Sequence, residues 1–305
     1  MGTHRPEVLA GVEDRDLHGT TVLVTGSTSG LGRETALALG RLGATILVHG
    51  RDRQRGSETV AEIEDAGGTA DLFVADFASL DNVRDLAREL RDAYSLDILV
   101  NNAGGYFSEG RLTEDGIEYT FQVNHLAPFY LTGLLFPEFR ESKEARIVNV
   151  SSEAHRATRS LNLDRLEQAD SYSAWRAYSR SKMANILFTY ELADRVDLPV
   201  NCLHPGFVPG SRFYRNFPFY FRAFINLVAA LPDPVAHLTS TSVAEGASTI
   251  LYLAVAADRQ ETGGYYIDRE EHRSSSVSYR EGLQRELWDW SIDHTPLEQD
   301  DMPQR

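Results

Sequence analysis

The chain has 305 residues, 42% of them hydrophobic, and a formal net charge of −15. That length admits one large α/β domain or two small ones, with a sizeable core. The charge argues against nucleic acid as a partner, because phosphate contacts need clustered Lys and Arg. Cys202 is the only cysteine, which excludes an internal disulfide and leads us to expect a reducing, cytoplasmic setting. Only Lys143 and Lys182 are lysines; the other 28 of the 30 basic residues are arginines. An acidic, lysine-poor surface suits a high-salt cytoplasm, and a GC-rich genome would also replace Lys with Arg. The polar start, Met1 to Leu17, lacks the apolar centre of a secretory signal. The longest apolar stretch, Phe217 to Leu231, is broken by Arg222 and Asn226. It is shorter than the roughly 20 residues of a spanning helix, so no stable membrane insertion is expected.

Residues 1–18 read as a loosely held extension. Thr21–Val24 is a short β-branched run, as buried strands are. It is followed by Thr25-Gly26-Ser27-Thr28-Ser29-Gly30-Leu31-Gly32 and then by a helical pattern from Arg33 to Leu42. Strand, glycine turn and helix in that order let backbone N–H groups approach a phosphate at a helix N-terminus. An ordinary glycine-containing loop would read the same way, and the G-x-x-x-G-x-G spacing differs from the G-x-G-x-x-G dinucleotide fingerprint. Further strands are expected at 44–48, 70–75, 96–100, 145–150, 199–203 and 264–267. Helices are expected at 52–66, at 79–94 with Ser79 as its cap, at 113–139 interrupted by Pro128 and Pro137, and at 172–196, 243–256 and 280–292. Alternation of this kind predicts one α/β domain over residues 19–292, a Rossmann-type doubly wound parallel sheet with helices on both faces, followed by a tail over 293–305. Ligands of such sheets bind beyond the carboxyl ends of the strands. Asp76, Asn101-Asn102-Ala103-Gly104, Ser151-Ser152 and His204-Pro205-Gly206 all fall at those ends.

Tyr178-Ser179-Arg180-Ser181-Lys182 is the strongest constellation. Tyr and Lys at i and i+4 share one helix face. An unperturbed phenol, with a pKa of about 10, is a poor base at neutral pH, and a nearby ammonium lowers that pKa. Such a pair can exchange a proton with an alcohol or a carbonyl. A chance pair on a solvated face is the bland alternative, weakened because a chain almost without lysine places one here.

Taken together, Thr25-Gly26-x-x-x-Gly30-x-Gly32, Asn101-Asn102-Ala103-Gly104, Asn124, Ser152, Tyr178-x-x-x-Lys182 and Pro205-Gly206 resemble the short-chain dehydrogenases/reductases, in that family's order, over residues 18 to 292. Phe121 to Leu126, Val150 to His155 and Ser181 to Phe188 are similar to the branch of retinol dehydrogenases, protochlorophyllide reductases and WW-domain oxidoreductases. The resemblance implies an alcohol dehydrogenase/carbonyl reductase acting on a lipophilic or ring-bearing small molecule. Tyr178 would be its general acid/base, and Lys182 would lower the pKa of Tyr178 and bind the nicotinamide ribose. Ser152, with Ser151 as the fallback, would hold the substrate oxygen, and Asn124 would support a water-mediated proton path. The implied cofactor surface is Gly26, Ser27, Ser29, Gly30, Leu31 and Gly32, then Asp76, Phe77, Asn102, Ala103 and Gly104, and finally Tyr178, Lys182, Pro205, Gly206 and Val208. Relatives pair into homodimers or homotetramers through the helices containing Asn124 and Tyr178. A cofactor-binding sensor without turnover is the competing function.

The cofactor choice has a physical argument. An acidic residue ending the second strand would bind a ribose 2′-OH and repel a 2′-phosphate. This chain has Gly50 there, followed by Arg51, which can pair with phosphate. NADP(H) is therefore expected over NAD(H). The chain departs from the family pattern in two places. Ser152 and Tyr178 are 26 residues apart, and the insert Arg156 to Ser171 is expected to form a loop near the mouth of the site. Gly210, followed by Ser211, stands where the family has a threonine. The aromatic run Phe207, Phe213, Tyr214, Phe217, Phe219, Tyr220, Phe221 and Phe224 suggests a lid over residues 207–242, with ordinary core or peripheral membrane contact as the alternatives. The histidines lack metal-ligand spacing, so no metal is expected.

Overall fold

The computed structural model describes residues 5–139, 142–208, 241–298 and 301–303. Most of the lid-like stretch, including Gly210 and Ser211, lies outside them. The elements follow in order: α1 (Pro6–Leu9), β1 (Thr21–Val24), α2 (Gly30–Arg41), β2 (Thr45–Gly50), α3 (Arg53–Asp65), β3 (Thr69–Val74), α4 (Leu80–Ala93) and β4 (Ile98–Asn101). After them come α5 (Tyr119–Phe121), a π turn (Gln122–Leu126), α6 (Ala127–Phe139), β5 (Arg146–Val150), α7 (Ala174–Ala193) and β6 (Val200–His204). The last elements are α8 (Val243–Leu251), β7 (Tyr265–Ile267), β8 (Glu270–His272) and α9 (Glu281–Asp293). The strands form one sheet in the order β3-β2-β1-β4-β5-β6-β7-β8. All neighbours are parallel except β7 and β8. This is the expected doubly wound α/β fold.

Strand alternation sends successive side chains to opposite faces. Leu23, Leu47, Leu99 and Ile147 join a core with α4, α6, α7 and α9. Val22, Val24, Ile46, Val48, Val100 and Val148 join the other core, with α2 and α8. The strand order reverses between β1 and β4, and the crevice at their carboxyl ends is where such sheets take ligands.

Several expectations need correction. Within the segment read as loosely held, residues 6–12 are packed, while 13–16 and 18 are exposed. Glu7 is 4% exposed and accepts from Arg41 Nε and Nη2 at 2.8 and 2.9 Å, while Ala10 and Val12 enter the core beside α2. The helix expected from Thr113 begins only at Tyr119, where Glu118 caps it by accepting from the Thr120 and Phe121 N–H groups. Pro128 and Pro137 sit inside α6 without ending it. At α4, Ser79 makes no side-chain cap; Asp115 accepts from the Leu80 N–H instead. In the insert over 156–171, Leu161, Leu163 and Leu166 are core residues. The tail also packs, with Leu297 and Met302 against Gly133 of α6.

Helix α9 lies on the helices that carry the site. Trp288 packs edge-on to Phe129 of α6, at 5.3 Å between ring centroids, and contacts Phe188 of α7. Ser291 bonds the buried His125. Any pairing of chains through α6 and α7 has to use surface that α9 leaves uncovered. Among the described residues, no helix is long and apolar enough to cross a membrane.

Candidate active site

The glycine turn is shaped by close approach. Gly26 has φ +68°, and a Cβ there would sit 2.8 Å from Ala103 Cα. A Cβ on Gly32 would come within 2.3 Å of Asn102 Nδ2 and 2.7 Å of the Gly26 carbonyl oxygen. Gly30 has φ +55° with nothing within 4 Å, so it faces open space at the start of α2. Asn102 Nδ2 donates to the Thr25 and Gly26 carbonyls, and Thr25 Oγ1 accepts from the Asn102 and Ala103 N–H groups. The ends of β1 and β4 are thereby stapled together. The Asn102 amide is committed to that staple, although the residue still lines the cleft. Ser27 does not line it. Its buried hydroxyl accepts from the His49 N–H at 3.0 Å, which ties the turn to β2. Thr28, absent from the expected set, lines the cleft in its place.

This cleft, of about 750 Å³, runs from the glycine turn to Tyr178. At one end a Cβ on Gly50 would meet Thr28 Cγ2 at 2.5 Å. A larger side chain there would have to displace the Thr28 methyl. Arg51 is half exposed; Nη1 donates to the Tyr119 hydroxyl at 3.2 Å and lies 4.0 Å from Asp76 Oδ2. Asp76 also accepts from the Ala78 N–H, and Phe77 stacks on His49 at 4.6 Å. Burial holds the His49 pKa down to about 4, so the ring is neutral and Nδ1 accepts from the Gly26 N–H. The glycine approach, the helix start and Arg51 fit a phosphorylated dinucleotide.

At the other end stand Ser152, Tyr178 and Lys182. Ser152 stands two residues beyond β5 in extended backbone, where it caps the turn Glu153–Ala157, its Oγ accepting from the Ala154 N–H. Ser152 stands close enough to Tyr178 for its hydroxyl to act on the phenol. Ser151 points away: its hydroxyl donates to the Lys182 carbonyl at 2.8 Å. Lys182 Nζ donates to the Val150 carbonyl at 2.8 Å and lies 5.9 Å from the Tyr178 ring centroid. Burial pushes the Tyr178 pKa up to about 12, partly opposed by the nearby Ser152 hydroxyl, and holds Lys182 down to about 8. This corrects the expected lowering of Tyr178. Desolvation outweighs an ammonium that is aimed at a carbonyl instead of the phenol. The side chain of Asn124 clasps the Gly105 backbone through both Oδ1 and Nδ2 and donates to Ser181 Oγ. It shapes the loop beside Lys182. Pro205, Gly206 and Val208 line the cleft, and a Cβ on Gly206 (φ +83°) would strike the Thr241 side chain.

Tyr106 and Trp175 flank Tyr178, with ring centroids 6.2 and 6.4 Å away. Trp175 is 48% exposed yet lines the cleft. Its place three residues before Tyr178, on the same helix face, was the available signal for it. Phe107 is held by Tyr172, whose hydroxyl donates to the Phe107 carbonyl at 2.7 Å. That contact links the insert region to the cleft wall and has no signature in the sequence. Among the described residues, no group of three or more His, Cys, Asp or Glu could hold a metal ion.

Comparison with known proteins agrees with this geometry. Residues 20–216 match the short chain dehydrogenase family model. The chain is 40% identical to mouse (Mus musculus) retinol dehydrogenase 14 over 295 residues, covering 90% of this chain and 85% of the relative. It is 33% identical to human (Homo sapiens) polyprenol dehydrogenase over 290 residues, covering 90% and 84%. Among solved structures it resembles the landomycin C-6 ketoreductase LanV with bound NADP and rabelomycin. There the TM-score is 0.63 at 25% identity, covering 82% of this chain and 95% of that one. The chain belongs to the short-chain dehydrogenase/reductase family of nicotinamide-dependent oxidoreductases, in its retinol dehydrogenase-like branch.

Proposed function

We propose that the protein is an NADP(H)-dependent carbonyl reductase/alcohol dehydrogenase for a lipophilic, ring-bearing substrate. The observation that carries this reading is the buried Tyr178–Ser152 pair, in one cleft with a glycine turn and Arg51. When bound, the dinucleotide supplies the hydride exchanged with the carbonyl carbon. Gly26, Gly30 and Gly32 leave room for its pyrophosphate at the start of α2, and Arg51 and Thr28 face the 2′-phosphate. Lys182 holds the nicotinamide ribose.

Ser152 orients the substrate oxygen, and Tyr178 is the general acid. A phenol with its pKa held near 12 stays protonated at neutral pH and can give its proton to a carbonyl oxygen as it becomes an alkoxide. In the opposite direction the same phenol oxygen would take the proton back from the alcohol. The aromatic wall of Tyr106, Phe107 and Trp175 supports an apolar ring beside the reacting carbonyl. The retinol, polyprenol and rabelomycin in the relatives' names are lipophilic too.

The test is a screen of aldehydes, ketones and alcohols followed by NADPH absorbance, repeated with Tyr178→Phe. Turnover that disappears in the variant while NADPH still binds supports the reading. Normal turnover by Tyr178→Phe would overturn it. Tight NADPH binding with no turnover of any probe would favour the sensor.

A further inference from the structure

We infer that His155 is a positioning residue that sets Ser152 against Tyr178 by fastening the turn after β5 to the loop that precedes α9. The inference rests on the proposed roles of Ser152 and Tyr178 and goes beyond them. His155 is fully buried. Its Nδ1 donates to the Ser152 carbonyl at 2.7 Å, and its Nε2 accepts from the Ser275 N–H at 3.0 Å. Since a backbone N–H can only donate, Nε2 carries the lone pair and Nδ1 the proton. The ring is a neutral bridge with both nitrogens engaged.

The partner loop is itself anchored to the tyrosine helix. Ser274 Oγ bonds Tyr190 on α7 and Ser278 Oγ, each at 2.7 Å. Tyr190 is three turns beyond Tyr178 on one rigid helix, about 18 Å along its axis at the standard rise. Ser152, through His155, and Tyr178, through α7, are thus referenced to the same short loop. The turn has a second fastening beside the first. Glu153 accepts from the Tyr265 hydroxyl at 2.8 Å and from Arg156 Nε at 2.7 Å, and Arg156 Nη2 donates to the Arg273 carbonyl. His155 packs edge-on to Tyr265. The Ser152 carbonyl also accepts from the His155 N–H at 3.1 Å, and the far end of the bridge, Ser275, lies more than a hundred positions downstream.

The experiment compares wild type, His155→Ala, His155→Gln, Ser152→Ala and the Ser152→Ala/His155→Ala double variant. NADPH-linked reduction of phenanthrenequinone, a flat lipophilic dicarbonyl, is followed, and crystal structures of wild type and His155→Ala are solved. His155→Ala is expected to lower kcat by about ten- to a hundredfold, the scale of a misplaced catalytic group. The KM for NADPH should stay within about twofold, because the glycine turn is untouched. His155→Gln keeps one donor and one acceptor and should recover most of the rate. In the Ser152→Ala background the histidine change should add little, since both act through one group. In the His155→Ala crystal structure, Ser152 should have left Tyr178 while α7 stays in place. A full multiplicative loss in the double variant, or Ser152 kept in its place beside Tyr178 in His155→Ala, would overturn the inference. If wild type reduces no carbonyl probe, the proposed function fails, and the two crystal structures still decide the position of Ser152. If His155→Ala does not fold, His155→Gln with its structure decides: a rate below one-tenth of wild type with Ser152 unmoved overturns it.

Discussion

The two ends of the cleft are built in different ways. The nucleotide end is made of backbone: glycines at 26 and 32 lie so close to Ala103 and Asn102 that a single added carbon collides. The catalytic end is made of buried side chains whose hydrogen bonds come from distant parts of the chain, such as His155 to Ser275 and Tyr190 to Ser274. A backbone cradle fails by steric exclusion. A side-chain corner fails by losing a proton, a charge or an anchor. Changes at the first end should move cofactor affinity, and changes at the second should move the chemical step.

The largest test of that division is Tyr178→Phe, which removes only the hydroxyl proposed as the acid. We expect kcat to fall by about a hundred- to ten-thousandfold, with NADPH affinity by fluorescence titration unchanged. Next is Arg51→Ala. Losing a charged partner of the 2′-phosphate should raise the KM for NADPH by about ten- to a hundredfold and leave that for NADH almost as it was. Steady-state kinetics with both cofactors checks this, and equal effects on the two would return Arg51 to the solvent. Gly32→Ala should do at the cradle what no catalytic substitution does. The new methyl meets both Asn102 and the Gly26 carbonyl, so stability should drop by about 1–3 kcal/mol and NADPH binding should weaken with it, as thermal melts with and without NADPH would reveal.

Acidity offers two smaller probes. Burial holds His49 and His204 to about 4 and His125 to about 3, from an ordinary 6.5. In that window the unfolded chain binds more protons than the folded one, so stability falls as pH drops from 6.5 towards 4. The loss is readable as a falling urea midpoint. On the alkaline side Lys182, held near 8, loses its ammonium early. The slope of kcat/KM should then steepen downward above pH of about 8, by at most tenfold per unit. Lys182→Arg, which stays charged, should remove that limb.

The same division explains what the sequence made legible. The glycine turn, the Asn102–Gly104 stretch and the Tyr178–Lys182 pair are local patterns with local causes, and each falls in the cleft. The sheet order follows from strand–helix alternation, which the pattern carries. Ser27 was misplaced because its distance from the cleft is set by His49 on another strand. The Tyr178 pKa was misjudged because spacing reports the neighbour but not the burial, and burial decides the sign. The 1–18 segment reads as loose because its anchor, the Glu7–Arg41 fork, joins residues 34 positions apart. Strand β8 is short and fully exposed, and its Glu270-Glu271-His272 has no apolar alternation to announce it.

The packing of α9 on α6 and α7 has a consequence for how the protein is made. Synthesis delivers Ser152, Tyr178 and Lys182 well before Ser275, Trp288 and Ser291, yet the outer cover of α7 and the bridge to Ser152 come from those later residues. A chain that has reached Gly206 carries every one of the motifs while its apolar Phe129 and Phe188 still lack the cover that Trp288 brings. A stop between Gly206 and Ser275 would leave all the motifs in place without the bridge to Ser152.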